Sequence, residues 1–118
     1  MSVPLIWNFE KAFLVLKNDP CYFLELPTIT VHPVDTWAGI GERAALHCLA
    51  TGDQPMTYAW YKNNKILYST GDLITNKADL VFEKVIVEDA EEYYCEAKNS
   101  VKNEPVRSKK ALFQVYSK

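Results

Sequence analysis

Trp60-Tyr61-Lys62, Leu80-Val81-Phe82 and Asp89-Ala90-Glu91-Glu92-Tyr93-Tyr94-Cys95 follow Cys48 in that order. Trp60 lies twelve residues after Cys48, Cys95 forty-seven after it, and Tyr93 stands two before Cys95. Successive side chains of a strand point to opposite faces. A strand over 93–99 therefore shows Tyr93, Cys95 and Ala97 to one side. Ala44, Leu46 and Cys48 share a face of a strand over 43–50, and Met56, Tyr58 and Trp60 share a face of the next. Leu80 and Phe82 face inward in a strand over 79–82, as do Ala111, Phe113 and Val115 in one over 106–116. Short alternating runs broken by turn residues predict an all-β chain. Trp60, Leu80, Phe82 and Tyr93 are the candidate core.

As a set, these residues resemble the immunoglobulin superfamily. The resemblance covers about residues 28–116 and implies an immunoglobulin-like two-sheet antiparallel Greek-key sandwich. It implies that Trp60 fills the core, that Cys48 and Cys95 form a disulfide between the sheets, and that Tyr93 is the tyrosine corner. Glu91 stands where the family usually has Gly. The family usually pairs Asp89 with an arginine near strand D. No Arg lies between 44 and 106, which leaves Lys77 or Arg43. Twenty residues between Trp60 and Leu80 leave room for a C′ strand and a short D strand, but not for the extra hairpin of a variable domain. Together with Cys95-Glu96-Ala97-Lys98-Asn99, this points to the intermediate (I-set) type. Strand A is expected at 28–32, broken by Pro33, with an A′ segment over 36–40.

The chain carries 13 basic and 15 acidic residues, for a formal net charge of −2. That balance offers no field for nucleic acid. No apolar run approaches the roughly 18 residues of a membrane span, so no direct membrane insertion is expected. His32 and His47 are the only histidines. Each sits between inward neighbours and is expected to face out, and no Cys-X-X-Cys accompanies them, so no zinc site is expected. There is no Gly-rich phosphate loop, Gly-X-Ser-X-Gly elbow or nucleophile–base pair. The acidic run from Glu88 to Glu92 reads as a solvated turn rather than a calcium site. The expectation is a non-enzyme without cofactor or metal.

Residues 1–27 fall outside the immunoglobulin pattern and read as an N-terminal arm, with 28–118 as the domain. Ile6, Phe9, Phe13 and Leu16 fall at helical spacing, with Asn8 as a cap. They predict an irregular segment or short helix, a remnant of a preceding region. The competing reading is a strand over 12–16 ended by Asn18-Asp19-Pro20. Cys21 has no assigned partner and is either a free thiol or a bridge to another chain.

Period two also sets Ala59 and Tyr61, Tyr94, Glu96 and Lys98, and Leu112 and Gln114 together on the outward face of strands C, F and G. Tyrosine buries much area and keeps a polar tip, which suits a protein-binding face. The partner would be a protein: a neighbouring immunoglobulin domain, a second copy, or another chain. The leading expectation is an interaction module of a larger adhesion or receptor-like protein, extracellular or at the cell surface. The alternative is a cytoplasmic scaffold or regulatory domain of the kind found in giant muscle filament proteins and the lymphoid paracaspase. Ala50-Thr51-Gly52, Pro55, Tyr58, Trp60-Tyr61-Lys62 and Asn64-Lys65 are similar to the paracaspase domains. The absence of an Asn-X-Ser/Thr sequon and of a signal-like start at Met1 to Lys17 favours that alternative. The cysteine pair favours the first reading.

Overall fold

The computed structural model describes residues 5–7, 11–14, 22–75 and 78–118. The strands are β1 (Leu5–Trp7), β2 (Lys11–Leu14), β3 (Tyr22–Glu25), β4 (Thr28–Val31), β5 (Thr36–Gly39), β6 (Ala44–Leu46) and β7 (Leu49–Thr51). They continue with β8 (Thr57–Lys62), β9 (Lys65–Ile66), β10 (Leu73–Ile74), β11 (Leu80–Phe82), β12 (Glu91–Lys98), β13 (Val106–Arg107) and β14 (Ala111–Tyr116). One layer of the sandwich is the sheet β5-β14-β12-β8-β9, with β13 pairing β12 beyond the reach of β14. The other layer holds β10-β11-β6 and the pair β4-β7. The expected strand B is thus two short strands: β6 pairs with β11, and β7 pairs with β4.

Not every pairing is antiparallel. β5 runs parallel to β14, with Gln114 opposite Trp37. The chain leaves β4 at His32-Pro33, and Pro33 is buried. Proline has no N–H for a ladder, so the strand ends there and crosses to the other layer in the same direction. Side chains latch the crossing. His32 Nδ1 accepts a hydrogen bond from Lys109 N (3.0 Å), and Asp35 Oδ1 accepts one from Leu112 N (2.8 Å). His32 was expected to face solvent; it is half-buried and tied to the opposite sheet.

Trp60, Leu80, Phe82, Tyr93 and Phe113 are fully buried between the layers. The Phe82 ring stacks on Phe113 with centroids 4.4 Å apart, and Tyr93 meets both edge-on at 5.5 and 6.1 Å. Such pairs add about 0.5–1.5 kcal/mol each beyond their burial. Trp60 satisfies its indole N–H on the Ala78 carbonyl at 3.2 Å. The Cys48–Cys95 disulfide joins the layers across a Cα separation of 6.6 Å.

Tyr93 donates its hydroxyl to the Asp89 carbonyl at 2.6 Å, closing the corner before β12. Burial, and then the charges of Asp89 and Glu91, push that hydroxyl's pKa up. The turn itself is a 3₁₀ segment, Val87–Asp89. Among the described residues the only non-glycine positive φ values are at Asn63 and Asn64. Glu91 therefore needs no glycine-like conformation. The expected Arg43–Asp89 pairing does not form. Asp89 Oδ2 instead accepts from Ile86 N at 2.9 Å, and Arg43 pairs with Glu83 at 3.2 Å. Lys77 lies outside the described residues. Asn63 (φ +49°) and Asn64 (φ +65°) carry the tight turn between β8 and β9, as a two-residue hairpin requires.

The expected helix over the arm gives way to strands. β1, β2 and β3 form an antiparallel meander that pairs Ile6 with Phe13 and Phe13 with Phe23. The runs Ile6-Trp7, Phe13-Leu14 and Tyr22-Phe23 are rich in β-branched and aromatic residues, which favour a pleated surface over a helix. Asn8, Phe9, Leu16 and Cys21 lie outside the described residues. The chain then enters the sandwich through a clamp. The Glu25 carbonyl accepts from Asp53 N (3.1 Å) and from Asn99 Nδ2 (2.9 Å). Gly52 beside it has φ +142°, and a Cβ there would sit 2.8 Å from the Leu26 carbonyl oxygen. Only glycine allows that approach.

Candidate functional site

Central strand β12 turns one face of its sheet toward the core and the other away from it. Its register opposes Tyr94 with Tyr61 and Glu96 with Ala59 on β8, and Glu92 with Leu112 on β14. Ile66 on β9 opposes Tyr61, and Trp37 on β5 opposes Gln114. Residues directly opposite share a face. The outer surface therefore gathers Ala59, Tyr61, Tyr94, Glu96, Lys98, Leu112 and Gln114, and extends over Ile66 and Trp37.

Tyr94 is not the exposed tyrosine that alternation alone suggests; it is 3% exposed. Its ring stacks on Tyr61, with centroids 4.9 Å apart and planes 9° apart. The Arg107 guanidinium lies 4.3 Å from its centroid. Arg107 also donates to Glu96 Oε2 from Nε (3.2 Å) and Nη2 (3.1 Å). Cation–π contact and ion pair each contribute on the order of 1 kcal/mol at such half-exposed positions. Burial first, and then a hydrogen bond to Glu96, push the Tyr61 hydroxyl pKa above the usual tyrosine range. Tyr61, Tyr94, Arg107 and Glu96 thus hold one another in place as a rigid plate.

Exposed apolar groups ring that plate: Leu112 at 39%, Ile66 at 43% and Trp37 at 63% exposed. A shallow hollow of about 300 Å³ opens beside it, lined by Ala59, Tyr61, Ile66, Glu96, Lys98 and Pro105 among others. Sequence reasoning missed Arg107, Ile66 and Trp37. Ile66 was readable from the Asn63-Asn64 hairpin, which sets it opposite Tyr61. Arg107 was hidden by the irregular stretch between β13 and β14, and Trp37 by the crossing of β5 between layers. His47 lies on the other layer and pairs with Asp79 at 3.0 Å. Among the described residues, no three His, Cys, Asp or Glu side chains gather as a metal site. No helix among them is long and apolar enough to cross a membrane.

The family model described as "Immunoglobulin domain" matches residues 27–99. The chain belongs to the immunoglobulin domain family. Leucine-rich repeats and immunoglobulin-like domains protein 1 of Homo sapiens is 35% identical over 101 residues, 84% of this chain and 9% of its own length. Hemicentin-1 of Homo sapiens is 40% identical over 76 residues, 64% of this chain and 1% of its own. This immunoglobulin domain thus spans under a tenth of either relative. Among solved structures, the I-band fragment I67-I69 from titin matches with a TM-score of 0.68 at 26% identity, over 80% of this chain and 34% of that one. The tandem Ig repeats of Dlar match with a TM-score of 0.73 at 20% identity, over 92% of this chain and 61% of that one. This second likeness is one of fold.

Proposed function

We propose that this immunoglobulin domain is a non-catalytic protein-interaction module of a larger adhesion or receptor-like chain. It binds through the outer face of the β5-β14-β12-β8-β9 sheet. The observation that carries this is the Tyr61–Tyr94–Arg107–Glu96 plate. Its groups are already ordered, so a partner that covers it loses little side-chain entropy. Tyrosine and arginine are also the side chains that anchor interface centres. The rim of Leu112, Ile66 and Trp37 offers apolar area that a partner can bury. Residues 1–27 act as the link from a preceding region, and the Glu25–Asn99 clamp supports that role.

An extracellular or cell-surface setting fits the Cys48–Cys95 disulfide, which persists in oxidising compartments. The relatives' names agree, among them a membrane-bound isoform of pro-neuregulin-2. The titin likeness favours the second reading, an intracellular scaffold domain. The test of the binding face is a panel of immunoglobulin ectodomains, and the chain itself, offered to the parent and to a Tyr61→Ser/Leu112→Ser variant. Loss of the parent's binding in a variant that still melts cooperatively is expected. A variant that binds everything the parent binds refutes the face.

A further inference from the structure

We infer that the partner of this face is a second copy of the same chain. The copies dock about a two-fold axis that lies in the plane of the face and crosses β12 at the level of Cys95. This deepens the reading above and rests on it. Glu92 and Lys98 are both exposed on β12. Six residues apart, they share the outer face at opposite ends of the strand, roughly 20 Å from each other. Among the described residues, neither has an ion pair within the fold. The two-fold reverses β12 against its copy, so each Glu92 meets the other copy's Lys98. The alternative axis, along the strand, sets Glu92 on Glu92 and Lys98 on Lys98. Charge therefore selects the first arrangement, since like charges brought together across an interface are costly.

Shape agrees with charge. On β8, Tyr61 stands one outward position from Ala59, which floors the hollow of about 300 Å³. The same axis seats each copy's Tyr61 and Ile66 over the other's hollow. On the neighbouring strands it brings exposed Leu112 toward Pro105, which lines that hollow. Every contact is made twice, as an isologous interface requires. Arg107 comes near the other copy's Lys110, but Glu96 already neutralises it. A single sheet face is a small interface, so association is expected in the micromolar range, on the order of 10–100 µM.

Sedimentation equilibrium over a concentration series tests the proposal. The parent is expected to show a monomer–dimer equilibrium. Glu92→Lys alone, or Lys98→Glu alone, should weaken it at least about tenfold. The combined Glu92→Lys/Lys98→Glu chain restores both pairs with reversed sign and should return to within about threefold of the parent. Both positions are exposed, and melting curves check that each of the three variants is folded. A parent that stays monomeric throughout, or a combined variant no better than the single ones, overturns the proposal. If such a monomer still loses another chain's binding on Tyr61→Ser/Leu112→Ser, only self-docking has failed. A dimer that persists in Tyr61→Ser/Leu112→Ser refutes both the docking and the face.

Discussion

Asn99 holds the entry of the chain into the sandwich, and its removal has a cost that can be worked out from its partners. Its side-chain amide is buried and donates to the Glu25 carbonyl at 2.9 Å and to the Asp53 carbonyl at 3.1 Å. Its Oδ1 accepts from Val101 N at 3.1 Å. In Asn99→Ala the Glu25 carbonyl keeps its bond from Asp53 N. The Asp53 carbonyl and the Val101 N–H lose their side-chain partner. At about 1 kcal/mol net per hydrogen bond, three bonds sum to about 3 kcal/mol. Water reaching this half-buried end of the domain offsets part of that, leaving about 2 kcal/mol, or a fall in Tm of about 8 °C or more. Asn99→Asp is the sharper control. It keeps the acceptor for Val101 but has no donor, and it sets a carboxylate against two carbonyl oxygens. Urea unfolding at neutral pH should show it at least as destabilised as Asn99→Ala, with the gap to the parent narrowing as the pH falls and the new carboxyl protonates. An Asn99→Asp variant within about 0.5 kcal/mol of the parent would show that the two donated bonds do not hold the clamp.

Other perturbations follow from the same geometry. Trp60→Ala empties the centre of the core and should cost about 3–5 kcal/mol in urea unfolding; a melting temperature unchanged within a degree or two would contradict Trp60 as that centre. Reduction of Cys48–Cys95, in a Cys21→Ser background so that one pair alone can form, should cost roughly 4 kcal/mol for a closed loop of this length. Equal urea midpoints with and without reductant would favour the intracellular scaffold reading. The Tyr61 pKa is raised by burial and Glu96, so the fold favours the protonated hydroxyl. That stabilisation is full below the unfolded value of about 10 and is lost as pH rises through the folded value. Spectrophotometric titration of Glu96→Gln should move the Tyr61 transition back toward the ordinary range; an unmoved transition would mean that Glu96 does not set it.

The sandwich was legible because its signals are local. Period two in 43–50, 56–61 and 93–99 sorts inward from outward residues without knowledge of the partner strands, and the disulfide and Trp60 fall on the inward side. What alternation cannot give is which sheet a short segment joins. Thr36-Trp37-Ala38-Gly39 reads only as a strand. Its parallel place beside β14 depends on the break at Pro33 and on His32 and Asp35 reaching residues 77 positions away. Tyr94 makes the same point at the site. Its face could be read from the sequence, but its burial depends on Arg107, which arrives from beyond a turn. In the arm, Ile6 and Phe13 fall at helical spacing, yet both pair as strands, Ile6 with Phe13 and Phe13 with Phe23, once β2 lies between β1 and β3. Such pairing is non-local, so spacing within one segment does not reveal it.

The binding face itself is tested most directly by hydroxyl-radical footprinting of the chain, free and with a bound partner. Tyr61, Leu112 and Ile66 line the outer face of one layer, and His47 lies exposed on the other layer, beside Asp79. Binding should protect Tyr61, Leu112 and Ile66 from oxidation and leave His47 as reactive as in the free chain. Protection of His47, with Tyr61, Leu112 and Ile66 unchanged, would contradict the account and move the binding surface to the opposite layer.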